Sequence, residues 1–182
     1  SGSESMVRAA GTFANINYSY HNRYLVDLTG RIDGSSIYGK NQQTAPYWSV
    51  GFRWNMHNES FLKGNDILQK MALRLNVGTT GNQNFSKSQA TSLYTFLTSV
   101  YGGYFGALVS TLGNPDLKGQ LTYNRNIGIE GTLFGNKFNF DINYYYNTTE
   151  GNLTDITIAP SIGFDSYKTN MGDLTNQGFE FS

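Results

Sequence analysis

The feature that most constrains this chain is a set of long runs in which apolar and polar residues alternate one for one. The first has Ala14, Ile16, Tyr18 and Tyr20 against Asn15, Asn17 and Ser19. After His21-Asn22-Arg23 comes Tyr24, Val26, Leu28, Gly30 and Ile32 against Asp27, Thr29 and Arg31, so these two runs read as a hairpin. Trp48, Val50, Phe52, Trp54 and Met56 make a third, and Met71, Leu73, Leu75 and Val77 a fourth. The fifth is Leu121, Tyr123, Ile127, Ile129 and Leu133, with Arg125 out of pattern, and the sixth Phe138, Phe140, Ile142, Tyr144 and Tyr146. A seventh starts at Gly178-Phe179-Glu180-Phe181. A period of two is a strand with unlike faces, not a helix.

Alternation also occurs in soluble sandwiches, so length and punctuation must choose between compartments. The runs reach about 9 to 13 residues, against roughly 5 to 6 in an ordinary strand, and a tilted strand needs about 9 to 11 to cross a bilayer. Tyr, Trp and Phe crowd toward the run ends, where amphipathic rings meet headgroups. Connections alternate between short (His21 to Arg23, Phe134 to Lys137) and long (Gly34 to Tyr47, Gly81 to Gln120, Gly151 to Gln177). Outer-membrane barrels alternate short periplasmic turns with long external loops in this way. The apolar stretch Ser92 to Leu112 then belongs in an external loop, as a hairpin or a short helix, and the His57 to Gln69 connection is periplasmic. For Arg125 two placements stay open: reaching along the lipid face to headgroups, or turned into the lumen by a bulge near Asn124.

Composition removes most other classes. Charged residues are 14% and aromatic ones 15%, where a globular chain carries about 25% charged residues. Lys plus Arg and Asp plus Glu number 13 each, which leaves no basic footprint for nucleic acid. With Cys 0 and His 2, neither a thiolate nor a histidine metal site is expected, and no cofactor is called for. Gly78-Thr79-Thr80-Gly81-Asn82 lacks the Lys-Ser/Thr of a phosphate loop. Asp33-Gly34-Ser35-Ser36 is turn chemistry with no nucleophile elbow around it. No catalytic residue and no enzymatic activity are expected.

Four groups of segments carry a resemblance. They are Asn22-Arg23-Tyr24-Leu25 with Arg31-Ile32-Asp33-Gly34-Ser35-Ser36 and Tyr38-Gly39-Lys40-Asn41; Pro46 to Trp54 with Phe61-Leu62, Leu73-Arg74 and Gly78 to Gln83; Asn114-Pro115-Asp116-Leu117-Lys118 with Asn126 to Glu130 and Asp141 to Tyr145; and Asn170-x-Gly172-x-x-x-Asn176-x-Gly178-x-Glu180. In this order and spacing the chain resembles the barrel of SusC/RagA-type TonB-dependent outer-membrane transporters. The resemblance implies a parent with a 22-stranded barrel, an N-terminal plug and a TonB-contacting segment. Residues 1–182 are then about seven barrel strands, without the plug or the N-terminal domain, in the bacterial outer membrane. It further implies import of oligosaccharides or peptides energised through TonB, with a SusD-like surface lipoprotein as partner. A ferric-siderophore receptor of the wider class shares the barrel, and the alternative from another class is a soluble β-rich carbohydrate-binding or adhesin module.

On this reading the polar face lines a lumen. Arg31, Arg53, Arg74, Glu130 and Asp141 are the lumen-facing candidates for contact with plug or ligand, with Lys70 on the same side. Tyr94, Tyr101, Tyr104 and Phe105, in the external loop, are candidates for ligand or partner contact or for a core of the loop itself. The outer face meets outer-membrane lipid.

Overall fold

The computed structural model describes residues 6–36, 40–41, 43–65, 67–82, 92–101, 104–158, 161 and 166–182. Tyr38, Gly39 and Gln83 of the motifs above lie outside the described residues. Seven strands form one antiparallel sheet: β1 (Ala9–Tyr20), β2 (Tyr24–Ser35), β3 (Thr44–Asn55), β4 (Leu68–Asn82), β7 (Gln120–Leu133), β8 (Phe138–Glu150) and β11 (Leu174–Phe181). Two hairpins stand apart as separate small sheets, β5 (Leu93–Tyr101) with β6 (Tyr104–Thr111), and β9 (Leu153–Thr157) with β10 (Ser166–Asn170). The first hairpin resolves the stretch Ser92 to Leu112 in favour of strands. The second was not legible in the sequence, because Leu153–Thr157 and Ser166–Asn170 are too short for their alternation to register.

Register explains the runs. One row across the sheet reads Tyr18, Val26, Phe52, Leu75, Ile127, Tyr144, Phe179, and the parallel row on the other face reads Asn15, Thr29, Ser49, Gly78, Asn124, Asn147, Asn176. A slip by one residue at any strand pair would exchange these faces, so the alternation itself fixes the pairing. The strands extend beyond the runs: β1 begins at Ala9, β3 takes in Pro46, and β11 starts at Leu174.

The sheet is a single layer. Among the described residues only Ala72 and Leu117 are buried apolar side chains. Large apolar side chains on one face stay open, with Ile16 62% and Phe179 65% exposed. A soluble sandwich would cover that face with a second sheet. Among the described residues no helix is long and apolar enough to cross a membrane.

The two ends differ. At one end the links are tight. His21 (φ 49) and Asn22 (φ 56) turn β1 into β2 in the left-handed region, closed by a 2.9 Å bond from the Arg23 amide to the Tyr20 carbonyl. Phe134 (φ 55), Gly135 (φ 66) and Asn136 (φ 65) do the same for β7 and β8. Positive φ at both central positions matches the twist of paired strands. The longer link between β3 and β4, opening with a 3-10 turn at Met56–Asn58, sits at this end too.

At the other end the long connections are tied together by the Asn114-Pro115-Asp116-Leu117-Lys118 motif. The Asn114 carboxamide oxygen accepts from the Asp116 amide (3.0 Å), a local Asx turn that leaves Leu117 0% exposed. The Asn41 side chain donates to Asp116 (2.7 Å) and its amide to the Pro115 carbonyl (3.2 Å), which brings in the β2–β3 link. The Asn114 side chain donates to the Lys168 carbonyl (3.1 Å). Asn170 accepts from the Lys118 amide (3.0 Å) and donates to the carbonyls of Lys118 (2.8 Å) and Gly151 (2.9 Å).

The face assignment has a direct test in the intact barrel. Ile142→Arg, on the apolar face, should lower folding stability by about 2 to 4 kcal/mol in urea titrations of the bilayer-inserted protein. Asn126→Arg, on the polar face, should cost about 1 kcal/mol at most. Equal losses would reject the assignment.

Candidate functional site

The polar face concentrates its charge in one place. Arg53 on β3 stands directly opposite Arg74 on β4, and Glu130 on β7 directly opposite Asp141 on β8. Like charges across a ladder repel. Here they are offset by one row and knit diagonally. Arg53 bonds Glu130 at short range, and Arg74 reaches Glu130 at 3.1 Å and both Asp141 oxygens at 2.7 Å. Asn143 accepts from Arg74 (3.1 Å) and donates to Asp141 (2.6 Å), and Arg53 donates to Asn55 (2.9 Å). Gly128 lies between Arg74 and Asn143 and leaves that space open: a Cβ there would come within 2.2 Å of the Asn143 oxygen and 3.2 Å of the guanidinium.

Four of the five lumen-facing candidates therefore form one neutral ladder over β3, β4, β7 and β8. The fifth, Arg31, lies on the same face but nearer the long-connection end, paired with Asp33 at 2.6 Å. In its own row Arg31 stands between Phe13 on β1 and Tyr47 on β3. Tyr47 lies flat on β4, for a Cβ on Gly81 would be 2.0 Å from its hydroxyl. A cleft of about 580 Å³ opens here, lined by Arg31, Asp33, Tyr47, Ser49, Thr80 and Gly81 among others. The alternation pattern had overlooked Phe13, Asp33 and Tyr47, whose places on the polar face follow only from extending the strands.

Among the external-loop candidates, Tyr94 is exposed on β5, and Tyr101 pairs with Tyr104 and Phe105 with Val100 along the hairpin backbone. Among the described residues no three His, Asp or Glu side chains gather as metal ligands would.

Glu59, in the link between β3 and β4, is a further residue that sequence reasoning passed over. It is buried and accepts from the Tyr24 hydroxyl (2.7 Å), the Trp54 indole (3.1 Å) and Arg23 (3.4 Å). Tyr24 and Trp54 stack at 6.3 Å on the apolar face, so Glu59 fixes the polar tips of two rim aromatics. The bond from Tyr24 foremost, then that from Trp54, holds the Glu59 carboxyl below the usual carboxylate range, against the opposing effect of burial.

Comparison with known proteins gives this sheet its context. The family described as TonB dependent receptor-like, beta-barrel matches residues 3–182. The chain belongs to this family. It is a piece of outer-membrane barrel wall, with short periplasmic turns and long external connections. It is 31% identical over 175 residues to TonB-dependent receptor P26 of Formosa agariphila, covering 95% of this chain and 18% of that receptor. It is 32% identical over 177 residues to TonB-dependent receptor SusC of Bacteroides thetaiotaomicron, covering 93% of this chain and 18% of SusC. The structure of the RagAB peptide transporter superposes with a TM-score of 0.88 at 28% identity, over 96% of this chain and 19% of that one. The chain thus spans less than a fifth of the length of these relatives.

Two outcomes test the site. Arg74→Met should cost about 2 kcal/mol of stability, and the loss in Arg74→Met/Asp141→Asn should be well short of additive because one network is broken twice. Strict additivity would mean that the ladder is not a unit. For Glu59 the sign follows from its lowered pKa: the added stability is complete above the ordinary carboxylate pKa and lost as pH falls through the lowered value. Urea midpoints measured across that acid window should drop for the wild-type barrel and less for Glu59→Gln. An identical slope in both would rule out this role.

Proposed function

We propose that the protein to which this chain contributes is an outer-membrane importer energised through TonB, taking up oligosaccharides or peptides with a SusD-like surface lipoprotein as its partner. The observation that carries the reading is the two-faced single layer: an apolar face that stays open and a polar face on which Arg53, Arg74, Glu130 and Asp141 pair with one another. Such a wall hydrates a passage without trapping a charged ligand. Kinship with SusC, and the near-superposition on a peptide transporter, support the choice among outer-membrane barrels. The plug and the TonB-contacting segment belong to the rest of the parent.

Within that reading the polar residues divide in two. Arg53, Arg74, Glu130 and Asp141 satisfy one another, so they stiffen the wall and present a neutral surface to the plug. Among the described residues Arg31 has a single carboxylate partner; it is flanked in its row by Phe13 and Tyr47 and borders a cleft toward the external side. These three, with Tyr94, Tyr101, Tyr104 and Phe105 of the external hairpin, are the contacts for ligand or lipoprotein.

The test uses the full-length parent in its own outer membrane. Uptake of radiolabelled maltoheptaose, cellohexaose and hexa-alanine is compared in cells with and without TonB. At least one should enter by a route that disappears when TonB is deleted and falls when Arg31 and Tyr47 are both replaced by alanine. Uptake of all three that is indifferent to TonB would refute the proposal.

A further inference from the structure

Arg125 is a cation on the lipid face. Its direction is settled by register: the β7–β8 ladder runs unbroken from Leu121↔Glu150 to Leu133↔Phe138, so no bulge turns it, and Arg125 shares its face with Tyr123, Ile127 and Ile129. The lumenal carboxylates Glu130 and Asp141 are on the opposite face, held by Arg53 and Arg74. Among the described residues no carboxylate pairs with Arg125, which is exposed. Its guanidinium lies 5.4 Å from the centre of the Tyr146 ring on the neighbouring strand.

The apolar belt of the sheet explains why a charge is tolerated there. The belt is slanted across the strands. On β2 and β3 its outer border lies at Ile32 and Trp48. On β4 it comes down to Val77 and on β7 to Ile127, each one row closer to the tight-turn end. Its inner border shifts the same way, from Tyr24 and Trp54 to Leu133 and Phe138. Strands tilted by roughly 35–45° to the membrane normal require this, since a row of paired residues then runs obliquely to the membrane plane. Arg125 shares a row with Leu28, Val50 and Val77, yet on β7 that row is already above the belt. The next residues outward on β7, β8 and β11 are Tyr123, Thr148 and Thr175, paired side by side. Arg125 therefore sits at headgroup level of the outer leaflet.

We propose that Arg125, Tyr146 and Gln177 form a site on the outside of the barrel for the phosphate of an outer-leaflet lipid headgroup. A guanidinium offers a planar fork that matches two phosphate oxygens. The Tyr146 face beneath it orients the fork and shields one side from water. Gln177 stands opposite Tyr146 on β11, and its amide oxygen accepts from the Tyr144 hydroxyl (3.3 Å), which leaves the amide nitrogen as a second donor. Glu150 is the acid of this face at the far outer end of β8, beyond Thr148, so a phosphate at Arg125 meets a cation and neutral donors. The site is independent of what the parent imports.

The experiment uses the full-length barrel in zwitterionic nanodiscs doped with diphosphorylated lipid A or with the same lipid after dephosphorylation, reading bound lipid by native mass spectrometry. The wild type should prefer the phosphorylated form by about tenfold. Arg125→Gln should remove most of that preference, and Arg125→Lys should keep part of it, the charge being retained and the fork lost. Inorganic phosphate should not displace the lipid. The wild-type comparison holds even where a variant fails to insert. Equal binding of the two lipid forms would overturn the proposal, as would wild-type preference in Arg125→Gln. Displacement by inorganic phosphate would replace a lipid site with a free-anion site.

Discussion

A single sheet can keep one face apolar only where something other than water covers it. That constraint governs the chain. With no second layer, the apolar residues of β1 to β4, β7, β8 and β11 cannot be buried against protein of their own, and the backbone must satisfy its polar groups entirely by strand pairing. The long unbroken ladders are thus the means by which a two-faced wall exists at all. The length of the strands follows from the thickness they cross, and the slant of the belt follows from their tilt.

The polar face solves a different problem. Arginine beside arginine and carboxylate beside carboxylate would each destabilise the ladder if the sheet were read strand pair by strand pair. Offsetting the two pairs by one row lets four strands share one neutral network, and a single missing Cβ at Gly128 leaves the space beside the Arg74 guanidinium open. Partly exposed ion pairs contribute little one at a time. Their value here is positional, since Arg53, Arg74, Glu130 and Asp141 reach one another in only one register.

Most of the sheet was legible in the sequence because its signal is repetitive. Alternation over a dozen residues specifies strand, face and register together, and the tight turns at His21 and Gly135 confirm where it reverses. Arg53, Arg74, Glu130 and Asp141 could be assigned to one face, but not to one cluster. Their contacts depend on a one-row offset between strands far apart in the chain, which no local pattern encodes. Phe13 and Tyr47 lie just outside the alternating runs, and only the pairing Phe13–Arg31–Tyr47 places them on the polar face. Glu59 lay in a connection with no periodicity. The short hairpin of β9 and β10 has five residues per strand, too few for alternation to stand out from an Asn- and Thr-rich background.

The Asn114 to Lys118 motif has a consequence for how external loops can vary. It binds the main chain of the two neighbouring connections through Asn41, Asn114 and Asn170, close to where each leaves the barrel. Each connection is thereby held close to the rim, and what projects beyond rises from a common foundation. Lengthening a hairpin above such a foundation adds closure entropy only logarithmically, about 0.6 kcal/mol for each doubling, and leaves strand register untouched. A wall built this way can exchange its outermost segments wholesale, meeting new molecules at the surface while the part in the membrane stays the same.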